Sequence, residues 1–375
     1  MRILFVCRSF SGIAGGVERM SIALMNAMVA RGHDVHVMTW DRAGDQDAFF
    51  NMDSRILWHK ISVGDPNQRA SFLTRLHRLM AVRSMIRKIN PDVGIGFQHG
   101  PFLAARLYTW GLPFPMICAE RNALDRMKYN DRIENKNFVF QTMRLARAIT
   151  VQCESYRETY PKFLRARIVT IPNPVFPAKN QANPAGKPGE RKILLAIGRL
   201  AYQKNFPCLI RAFARISSEF PDWELHIGGN GERQGELEEL IRTLDISSRV
   251  KLLGVLAPDQ VSAAYPSSHL FCLPSRWEGF PNVLAEAMAH GLPCVGFSEC
   301  PGVRDLIEHD VDGVLAPGMD DDQSLSHALE KCMRDDEGRA RLGQAARLKV
   351  TAFEPEKIFN TWEQLFIRVA GKNKK

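Results

Sequence analysis

Short apolar runs of five to seven residues alternate with longer segments of helical periodicity along most of this 375-residue chain. A parallel strand that is buried on both faces reads as a continuous apolar run, whereas a surface helix repeats its apolar residues every three or four positions, so the alternation predicts repeated β-α-β units. The first series of runs predicts strands over residues 2–7, 34–40, 92–97, 115–119, 148–153 and 167–172. The second series predicts strands over residues 192–198, 223–229, 249–254, 269–274, 293–297 and 312–316. The predicted fold class is therefore α/β, with two doubly wound parallel sheets.

A polar segment separates the two series and predicts the domain boundary. Residues 177–190 contain three prolines, two glycines and no apolar residue larger than alanine, which is typical of a linker. We therefore predict one domain over residues 1–176, a second over 191–350, and a C-terminal helix over 351–375 that can return to the first domain. Because ligands bind at the carboxyl ends of parallel strands, the two domains are expected to face a shared cleft with those edges.

The composition excludes several other classes of protein. With 45% hydrophobic and 24% charged residues, the chain is expected to be globular rather than disordered, collagen-like or a coiled coil. No run approaches the roughly 18 uncharged apolar residues of a membrane-spanning helix, and the start of the chain lacks the cleavage pattern of a signal peptide. The eight cysteines include no Cys-x-x-Cys pair. We therefore expect a cytoplasmic protein without disulfides or a zinc site.

The positive charge is concentrated in the first half of the chain. The net charge is +9, yet residues 1–175 hold 25 Lys and Arg against 14 Asp and Glu, whereas the remaining residues hold 25 against 27. Such a basic half can attract anionic lipid, a phosphorylated acceptor or nucleic acid. Nucleic acid is not expected as a partner, because the basic residues are not interleaved with aromatic ones.

The most informative motif follows the predicted strand over residues 269–274. It reads Glu278-Gly279-Phe280-Pro281-Asn282-Val283-Leu284-Ala285-Glu286 and leads into a predicted short helix. Proline suits the first turn of a helix, and the unpaired N–H groups of that turn bind anions. Both carboxylates can therefore face a ligand whose phosphates rest on these amides. The alternative for Glu286 alone is an ordinary solvated helix position.

This string resembles the donor-site signature of the family 4 retaining glycosyltransferases of the GT-B fold, which is Glu-x7-Glu with an internal Gly-Phe-Pro. The resemblance implies two Rossmann-like domains, of which the N-terminal one binds the acceptor and the C-terminal one binds the nucleotide sugar. It also implies transfer of a hexose from a nucleotide diphosphate sugar with retention at the anomeric carbon. By the same resemblance, Glu278 orients the donor sugar, Glu286 accepts hydrogen bonds from the ribose hydroxyls, and residues 279–283 complete the donor site.

Two cations follow the first strand of the second series, in the strings Gly198-Arg199-Leu200 and Lys204-Asn205. Cations five residues apart in such a loop can hold a diphosphate, although solvated loop residues are the ordinary alternative. In the family that the chain resembles, this pattern grips the donor diphosphate and stabilises it as the leaving group. The resemblance therefore assigns these roles to Arg199 and Lys204 and places Gly198 and Gly231 in the same donor site. With two cations at the diphosphate, neither a metal ion nor another cofactor is expected.

The resemblance is weaker in the first domain. Gly15 and Gly16 open the first helix, where a missing side chain permits close approach of a ligand, and the family uses this loop beside the donor phosphate and the acceptor. Arg121 stands where the family has its active-site histidine. A guanidinium can hold an acceptor phosphate or the donor's sugar and diphosphate, but it cannot act as a base. His99 is the nearest substitute for the histidine, and a plain loop position is its ordinary alternative.

Other motifs point to different classes of protein. The strings Asp45-Gln46-Asp47 and Asp310-Val311-Asp312 match the Asp-x-Asp motif of metal-dependent transferases, but both lie in polar contexts away from the expected site. The glycine pattern that begins at Gly229 departs from the dinucleotide fingerprint, which argues against an oxidoreductase. A nucleotide-sugar epimerase of the same fold and a non-catalytic nucleotide-sugar-binding protein remain alternatives.

Residues 67–90 predict a basic amphipathic helix. Its cations are Arg69, Arg75, Arg78, Arg83, Arg87 and Lys88, with no acid between Asp65 and Asp92. Its predicted apolar side holds Phe72, Leu76, Leu79, Met80, Val82, Met85, Ile86 and Ile89. An ordinary core-facing helix is the alternative. Basic side chains on an interfacial helix, however, gain about 1 kcal/mol each near an anionic leaflet.

We therefore expect a peripheral enzyme at the inner, anionic face of the cytoplasmic membrane. Members of the resembled family extend lipid-linked glycans, so the expected acceptor is a polyprenyl-diphosphate-linked or lipopolysaccharide glycan. The cations of the predicted helix, together with His99, are expected on the acceptor or membrane side of the protein. The expected donor is a UDP-sugar, with a GDP-sugar as the second choice.

Overall fold

The computed structural model describes residues 1–13, 15–64, 70–112, 114–124 and 135–371. The chain divides into two compact units, each with its own parallel sheet. Unit 1 contains Met1–Pro174 together with the C-terminal segment that begins at Glu356, and unit 2 contains Val175–Pro355.

In the described residues, unit 1 is built on a seven-stranded parallel sheet. Its strands are β1 (Arg2–Val6), β2 (Asp34–Thr39), β3 (Leu57–Lys60), β4 (Val93–Phe97), β5 (Met116–Ala119), β6 (Ala148–Val151) and β7 (Ile168–Thr170). Their spatial order is β3-β2-β1-β4-β5-β6-β7, so the direction of winding reverses between β1 and β4. The carboxyl ends of β1 and β4 therefore lie at the edge where doubly wound sheets bind ligands.

Six helices among the described residues lie between the strands of unit 1. In chain order they are α1 (Gly16–Ala30), α2 (Phe72–Ile89), α3 (His99–Tyr108), α4 (Lys136–Met143), α5 (Ser155–Thr159) and α6 (Lys162–Arg165). The first turns of α1 and α3 lie at the same edge of the sheet, because each of these helices follows a central parallel strand.

Unit 2 repeats this architecture with six parallel strands among its residues, all of which are described. The strands are β8 (Lys192–Ile197), β9 (Trp223–Gly228), β10 (Val250–Gly254), β11 (Leu270–Leu273), β12 (Cys294–Phe297) and β13 (Gly313–Ala316). Their order is β10-β9-β8-β11-β12-β13, so the winding reverses between β8 and β11. The helices are α7 (Phe206–Ile216), α8 (Gln234–Thr243), α9 (Pro258–Ala264), α10 (Asn282–Ala289), α11 (Pro301–Leu306), α12 (Asp322–Arg334) and α13 (Asp336–Val350).

The predicted fold class is confirmed, since the twelve predicted strands are all present in two doubly wound sheets. The strand that the sequence did not predict is β3. It pairs with β2 at the edge of the sheet, and its residues Leu57–Lys60 are partly or largely exposed. An edge strand with this exposure does not need the continuous apolar run by which buried parallel strands are identified.

The segment over residues 177–190, predicted to be a linker, belongs to unit 2. The guanidinium of Arg339, on α13, is fully buried and donates from Nε to the carbonyl oxygen of Pro184 at 2.8 Å. Its Nη1 atom donates to the carbonyl oxygens of Cys332 and Met333 at the end of α12. A buried cation thus contributes to the attachment of the proline-rich segment to unit 2, and the composition of the segment does not reveal this contact.

The C-terminal helix α14 (Pro355–Gly371) packs within unit 1 from Glu356 onward. Residues Thr351–Phe353, which the sequence included in this helix, form a separate 3-10 turn. The ring of Phe366 lies edge-on to Phe5 of β1, with ring centroids 6.0 Å apart. His33 lies 2.8 Å from the carboxylate of Glu363. These contacts join α14 to the sheet of unit 1.

Candidate active site

The loop after β8 carries the two predicted cations. Residues Tyr202–Lys204 form a 3-10 turn, and Asn205 then adopts a left-handed conformation that starts α7. A Cβ atom at Gly198 would lie 3.0–3.3 Å from three side-chain carbons of Lys204. Glycine therefore permits the lysine side chain to cross the start of the loop closely. This path directs the Lys204 ammonium to the loop that follows the neighbouring strand β11.

That second loop holds Glu278, whose Oε1 atom accepts a hydrogen bond from Lys204 Nζ at 2.6 Å. The hydroxyl of Ser275 donates to the same oxygen at 2.7 Å. Only 14% of the Lys204 side chain and 8% of the Glu278 side chain are exposed. Removing either partner from such a pair leaves the other charge buried without its main compensation.

This ion pair lies at the carboxyl ends of β8 and β11, where the winding of the sheet reverses. The sequence separates Lys204 and Glu278 by 74 residues, and the parallel pairing of the two strands brings them together. Ligands of doubly wound sheets bind at this edge. The structure thus joins two of the residues that the sequence assigned to one site.

Arg199, by contrast, extends from the surface of the same loop. Its side chain is 74% exposed, and Nη2 lies 3.1 Å from the carboxylate of Glu232. An exposed pair of this kind contributes little to stability. The guanidinium can therefore exchange its carboxylate partner for a phosphate with little effect on the fold.

The loop after β9 lies directly against the loop after β8. Leu200 donates its N–H to the carbonyl of Asn230 at 2.8 Å, and Arg233 donates to the carbonyl of Leu200 at 3.0 Å. A Cβ atom at Gly231 would lie 2.3 Å from the Leu200 carbonyl oxygen. Gly231, a predicted donor-site residue, is therefore needed for the contact between these two loops.

The predicted Gly-Phe-Pro segment forms the turn into α10. Pro281 directly precedes α10, which begins at Asn282 and continues through Val283. Phe280 is buried, and its ring lies edge-on to Phe353 with centroids 5.9 Å apart. Gly279 lies between this anchored ring and Glu278. The N-terminal end of α10 is consequently held beside the carboxylate of the ion pair.

Two further residues shape this site, and the sequence did not assign them a role. A Cβ atom at Gly302, in α11, would lie 2.8 Å from the carbonyl oxygen of Glu278, so only glycine permits this close approach. Tyr265 follows α9, and its hydroxyl donates to Oε2 of Glu286 at 3.0 Å. Neither contact is visible as a local pattern, because each joins residues more than 20 positions apart.

In unit 1, the predicted glycines lie at the start of α1. Gly15 precedes the helix without a side-chain cap, and Gly16 is its first residue. A Cβ atom at Gly15 would lie 2.0 Å from the carboxylate of Glu18. Burial raises the pKa of the Glu18 carboxyl group above its ordinary value. The two glycines thus lie at the ligand-binding edge of the unit 1 sheet, as predicted, with a half-buried carboxyl group beside them.

Arg121, predicted to hold an acceptor phosphate or the donor's sugar and diphosphate, lies in the interior of unit 1. The guanidinium is buried over the rings of Phe97 and Trp362, with its central carbon 5.6 Å and 5.0 Å from their centroids. Nη1 donates to Asn173 Oδ1 at 3.3 Å, and Nη2 donates to Thr150 Oγ1 at 3.4 Å. Burial lowers the pKa of Arg121 to about 10, so the side chain still carries its charge at neutral pH. Its contacts with Phe97 and Trp362 join the sheet to α14.

His99, predicted on the acceptor side, also lies in the interior of unit 1. It is the first residue of α3, is 5% exposed, and has Nε2 at 2.7 Å from Thr142 Oγ1 on α4. The Thr142 hydroxyl also donates to helix carbonyls, so it accepts from His99. This bond joins two helices of unit 1.

The predicted basic helix is present as α2, and it begins at Phe72 after the N-cap Ser71. Residues 67–69, including Arg69, lie outside the described residues. The second half packs as predicted through Val82, Ile86 and Ile89. The first half does not, since it exposes the large apolar side chains of Phe72, Leu73, Leu76 and Met80.

The cations of α2 fall into two groups. Arg78 is buried and donates from Nε to the carbonyl of Val63 at 2.8 Å, which contradicts its predicted place on a membrane-facing surface. Arg83 is half-buried and donates to the carbonyl of Trp110 at 2.9 Å. The exposed cations are Arg75, Arg87 and Lys88.

The Asp-x-Asp matches are engaged in local contacts. Both carboxylate oxygens of Asp310 bond to Lys331, and Asp312 bonds to Lys349 at 2.8 Å. Asp45 accepts from the backbone N–H of Arg42. Across the described ranges, the structure contains no group of three or more His, Cys, Asp or Glu side chains arranged to hold a metal ion. No helix within those ranges is long and apolar enough to cross a membrane.

Two family models match the chain. The model described as "Glycosyltransferase Family 4" matches residues 14–179, and the model described as "Glycosyl transferases group 1" matches residues 178–349. Together they span the two sheets of units 1 and 2 apart from β1.

The chain is also similar to individual proteins over almost its whole length. A Campylobacter jejuni protein named GalNAc-alpha-(1->4)-GalNAc-alpha-(1->3)-diNAcBac-PP-undecaprenol alpha-1,4-N-acetyl-D-galactosaminyltransferase is 26% identical over 384 residues, which cover 98% of this chain and 99% of the relative. The solved sucrose-phosphate synthase of Thermosynechococcus elongatus has a TM-score of 0.82 at 19% identity, covering 99% of both chains. The Anabaena protein HepE, solved with UDP and glucose, has a TM-score of 0.73 at 18% identity, covering 97% of this chain and 99% of that one.

Proposed function

The chain is a glycosyltransferase that belongs to family 4 and has the GT-B fold, and on this premise we propose its reaction. It transfers a hexose from a nucleotide diphosphate sugar to a lipid-linked or lipopolysaccharide glycan, with retention at the anomeric carbon. A UDP-sugar is the favoured donor, supported by the solved neighbour that binds UDP and glucose, and a GDP-sugar is the second choice. The observation that carries the proposal is the buried pair of Lys204 and Glu278 at the reversal point of the unit 2 sheet.

The proposed roles of Arg199 and Lys204 follow from where charge develops in the reaction. Breaking the bond between the anomeric carbon and the diphosphate leaves negative charge on the departing phosphate oxygens. Preorganised cations stabilise that charge better than water does, because they need no reorganisation as it forms. Lys204 is held in place by its contacts with Gly198 and Glu278, and Arg199 is exposed and can close over the diphosphate. These two cations neutralise the negative charge of the departing diphosphate, a role that a metal ion has in other transferases.

The two glutamates take different parts of the donor in this proposal. Glu278 is fixed by Lys204 and Ser275 at the carboxyl end of β11, where it orients the hexose next to the departing diphosphate. Glu286 lies on α10 about one turn beyond the Gly-Phe-Pro segment, where it accepts hydrogen bonds from the ribose hydroxyls. Neither carboxylate is assigned the role of a covalent nucleophile.

The proposed acceptor side is unit 1. The Campylobacter jejuni relative is named for an undecaprenol-diphosphate-linked glycan, which supports an acceptor of the same class here. The first half of α2 exposes Phe72, which is 80% accessible, together with Leu73, Leu76 and Met80. A surface depression of 550 Å³ beside them is lined by Met80, Arg83, Ser84, Arg87 and Lys88. Apolar side chains next to exposed cations suit binding to the inner, anionic face of the cytoplasmic membrane, from which a lipid-linked acceptor is reached.

The experiment that tests this function is a screen of radiolabelled UDP- and GDP-sugars with purified protein. Each donor is incubated with an undecaprenyl-diphosphate-linked glycan, with lipopolysaccharide core, or with neither. We expect release of the nucleoside diphosphate only where one of the acceptors is present, and label in that acceptor. Conversion of the donor to another nucleotide sugar without an acceptor would instead identify an epimerase. Donor binding without turnover under any condition would identify a non-catalytic binding protein.

A further inference from the structure

Tyr265 is joined directly to the proposed ribose-binding carboxylate. It follows the last residue of α9, is 1% exposed, and lies with its hydroxyl oxygen 3.0 Å from Glu286 Oε2. An ionised carboxylate only accepts hydrogen bonds, so the tyrosine hydroxyl is the donor. Glu286 is itself half-buried on α10.

The ring of Tyr265 is held in place by packing against two neighbouring rings. The imidazole of His290 stacks on it with centroids 5.0 Å apart and planes inclined by 26°. The ring of Phe271, on β11, lies 6.0 Å away at a tilt of 56°. His290 is fixed in turn, because its Nδ1 atom donates to the carbonyl of Asn180 at 2.7 Å. The hydroxyl of Tyr265 is therefore presented to Glu286 from a ring that packing keeps in one orientation.

We propose that Tyr265 is a positioning residue that holds the Glu286 carboxylate in the orientation that receives the ribose diol of the donor nucleotide. This inference rests on the proposed function, since it takes the ribose role of Glu286 as given. A carboxylate oxygen accepts more than one hydrogen bond, so the bond from Tyr265 is compatible with bonds from ribose hydroxyls. A glutamate side chain that is ordered before binding loses less conformational entropy when the ligand arrives, and the affinity for the nucleotide is higher for that reason.

The chemistry makes a selective prediction about the ligand. The bond from Tyr265 acts only through Glu286. Its loss should therefore lower the affinity for a nucleotide that carries ribose hydroxyls. A nucleotide without these hydroxyls makes no use of the ordered carboxylate. A tyrosine that merely filled space in the core of unit 2 would affect both nucleotides equally.

The test is calorimetric titration of the full chain with UDP and with 2′,3′-dideoxy-UDP, or with the guanosine pair if the donor screen selects GDP. Tyr265→Phe removes the hydroxyl and keeps the ring that stacks on His290. We expect this variant to bind UDP roughly three- to tenfold more weakly than wild type, the range for one lost hydrogen bond, and to bind the dideoxy nucleotide unchanged. In turnover assays the loss should lie in KM for the donor and not in kcat. Tyr160→Phe, which removes the hydroxyl of a buried tyrosine in unit 1, is the matched control and should bind both nucleotides like wild type.

Equal affinity of Tyr265→Phe and wild type for UDP would overturn the positioning role, and so would an equal loss of affinity for both nucleotides. Glu286→Gln separates this failure from failure of the ribose assignment itself. If Glu286→Gln weakens UDP binding while Tyr265→Phe does not, the ribose role stands and the positioning role is wrong. If neither substitution weakens UDP binding, or if wild type binds neither UDP nor GDP, both are wrong.

Discussion

At the scale of single residues, the proposed reaction depends on two cations in very different environments. Lys204 is mostly buried against Glu278, and Arg199 is exposed beside Glu232. Both are assigned to the departing diphosphate, yet only one of them is part of the folded interior. Their substitution should therefore have similar effects on turnover and different effects on stability.

We expect Lys204→Ala and Arg199→Ala each to lower kcat by about 10²- to 10³-fold, the usual result of removing one preorganised group from a developing charge. Arg199→Ala should leave the thermal midpoint of unfolding unchanged, whereas Lys204→Ala should lower it, because Glu278 loses its partner. Arg242→Ala removes another exposed arginine that is paired with a glutamate in unit 2, and it serves as the control. If both single variants turn over nearly as fast as the control, the assignment of Arg199 and Lys204 to the diphosphate is wrong.

The imidazole of His290 makes the stability of unit 2 depend on pH. Burial lowers the pKa of His290 below 6.5, against the smaller opposing effects of the Asn180 carbonyl and Glu286. Between the lowered pKa and 6.5 the unfolded chain binds more protons than the folded one, so the free energy of unfolding falls as the pH falls through this interval.

We predict that His290→Gln, which retains an N–H donor, loses less stability than wild type when the pH is lowered from 7.5 to the acid side of 6.5. Thermal unfolding of the two proteins over this range measures the difference, and the unchanged groups, such as the buried His269, cancel in the comparison. Parallel pH profiles for the two proteins would show that His290 titrates alike in the folded and unfolded states.

At the scale of helices and strands, a buried aromatic side chain of α14 packs against the rest of unit 1. Trp362 is fully buried and lies on the guanidinium of Arg121, next to Phe366. Truncating a buried tryptophan to alanine typically removes about 3–5 kcal/mol from the free energy of unfolding. We therefore expect Trp362→Ala to lower the midpoint of chemical unfolding markedly.

Trp110→Ala is the control for this substitution, because Trp110 is 64% exposed on the same unit. Its unfolding midpoint should stay close to that of wild type. A midpoint of Trp362→Ala equal to that of the control would mean that α14 contributes little to the stability of unit 1.

The sequence predicted those elements whose signal is local. Buried parallel strands are recognised by their apolar runs. The string from Glu278 to Glu286 likewise predicted the turn into α10. The edge strand β3 was missed because its exposed residues lack such a run. The attachment of residues 177–190 to unit 2 was not predicted, because one of its contacts comes from Arg339, about 150 positions further along the chain.

The same limit applies to individual side chains. Helical periodicity cannot tell that Arg78 turns inward to the carbonyl of Val63 while Phe72 and Met80 remain exposed. Likewise, the position of Arg121 after β5 suggested a ligand, whereas its partner Trp362 comes from the other end of the chain. Residue type and spacing therefore pointed to the loops that carry Lys204 and Glu278, but they did not predict which single cations are buried.

At the scale of the whole molecule, the proposed membrane attachment makes the protein sensitive to lipid charge and salt. Wild type should co-sediment with vesicles that contain anionic phospholipid, and less so as salt is added, because salt screens exposed charges. Arg75→Glu, Arg87→Glu and Lys88→Glu combined should abolish this binding, since these are the exposed cations of α2. Phe72→Ser with Leu76→Ser should weaken it without changing the charge.

The matched control changes the net charge equally at another site. Arg157→Glu, Lys162→Glu and Lys179→Glu combined reverse three exposed cations outside α2 and should retain most of the binding. Equal losses in the two triple variants would assign the binding to net charge alone. If wild type does not bind anionic vesicles at low salt, the proposed membrane attachment is wrong. The proposed transferase activity does not depend on this result.

The proposed transfer of a hexose with retention fixes the anomeric configuration of the product, which can be measured. The measurement is a proton NMR spectrum of the glycan formed from an α-linked nucleotide sugar, read at the anomeric proton of the transferred hexose. We predict an α-glycosidic bond, the configuration of the donor, in product that forms only when the acceptor is present. A β-linked product would contradict the retaining mechanism. No transferred hexose from any donor in the screen would contradict the proposed reaction itself.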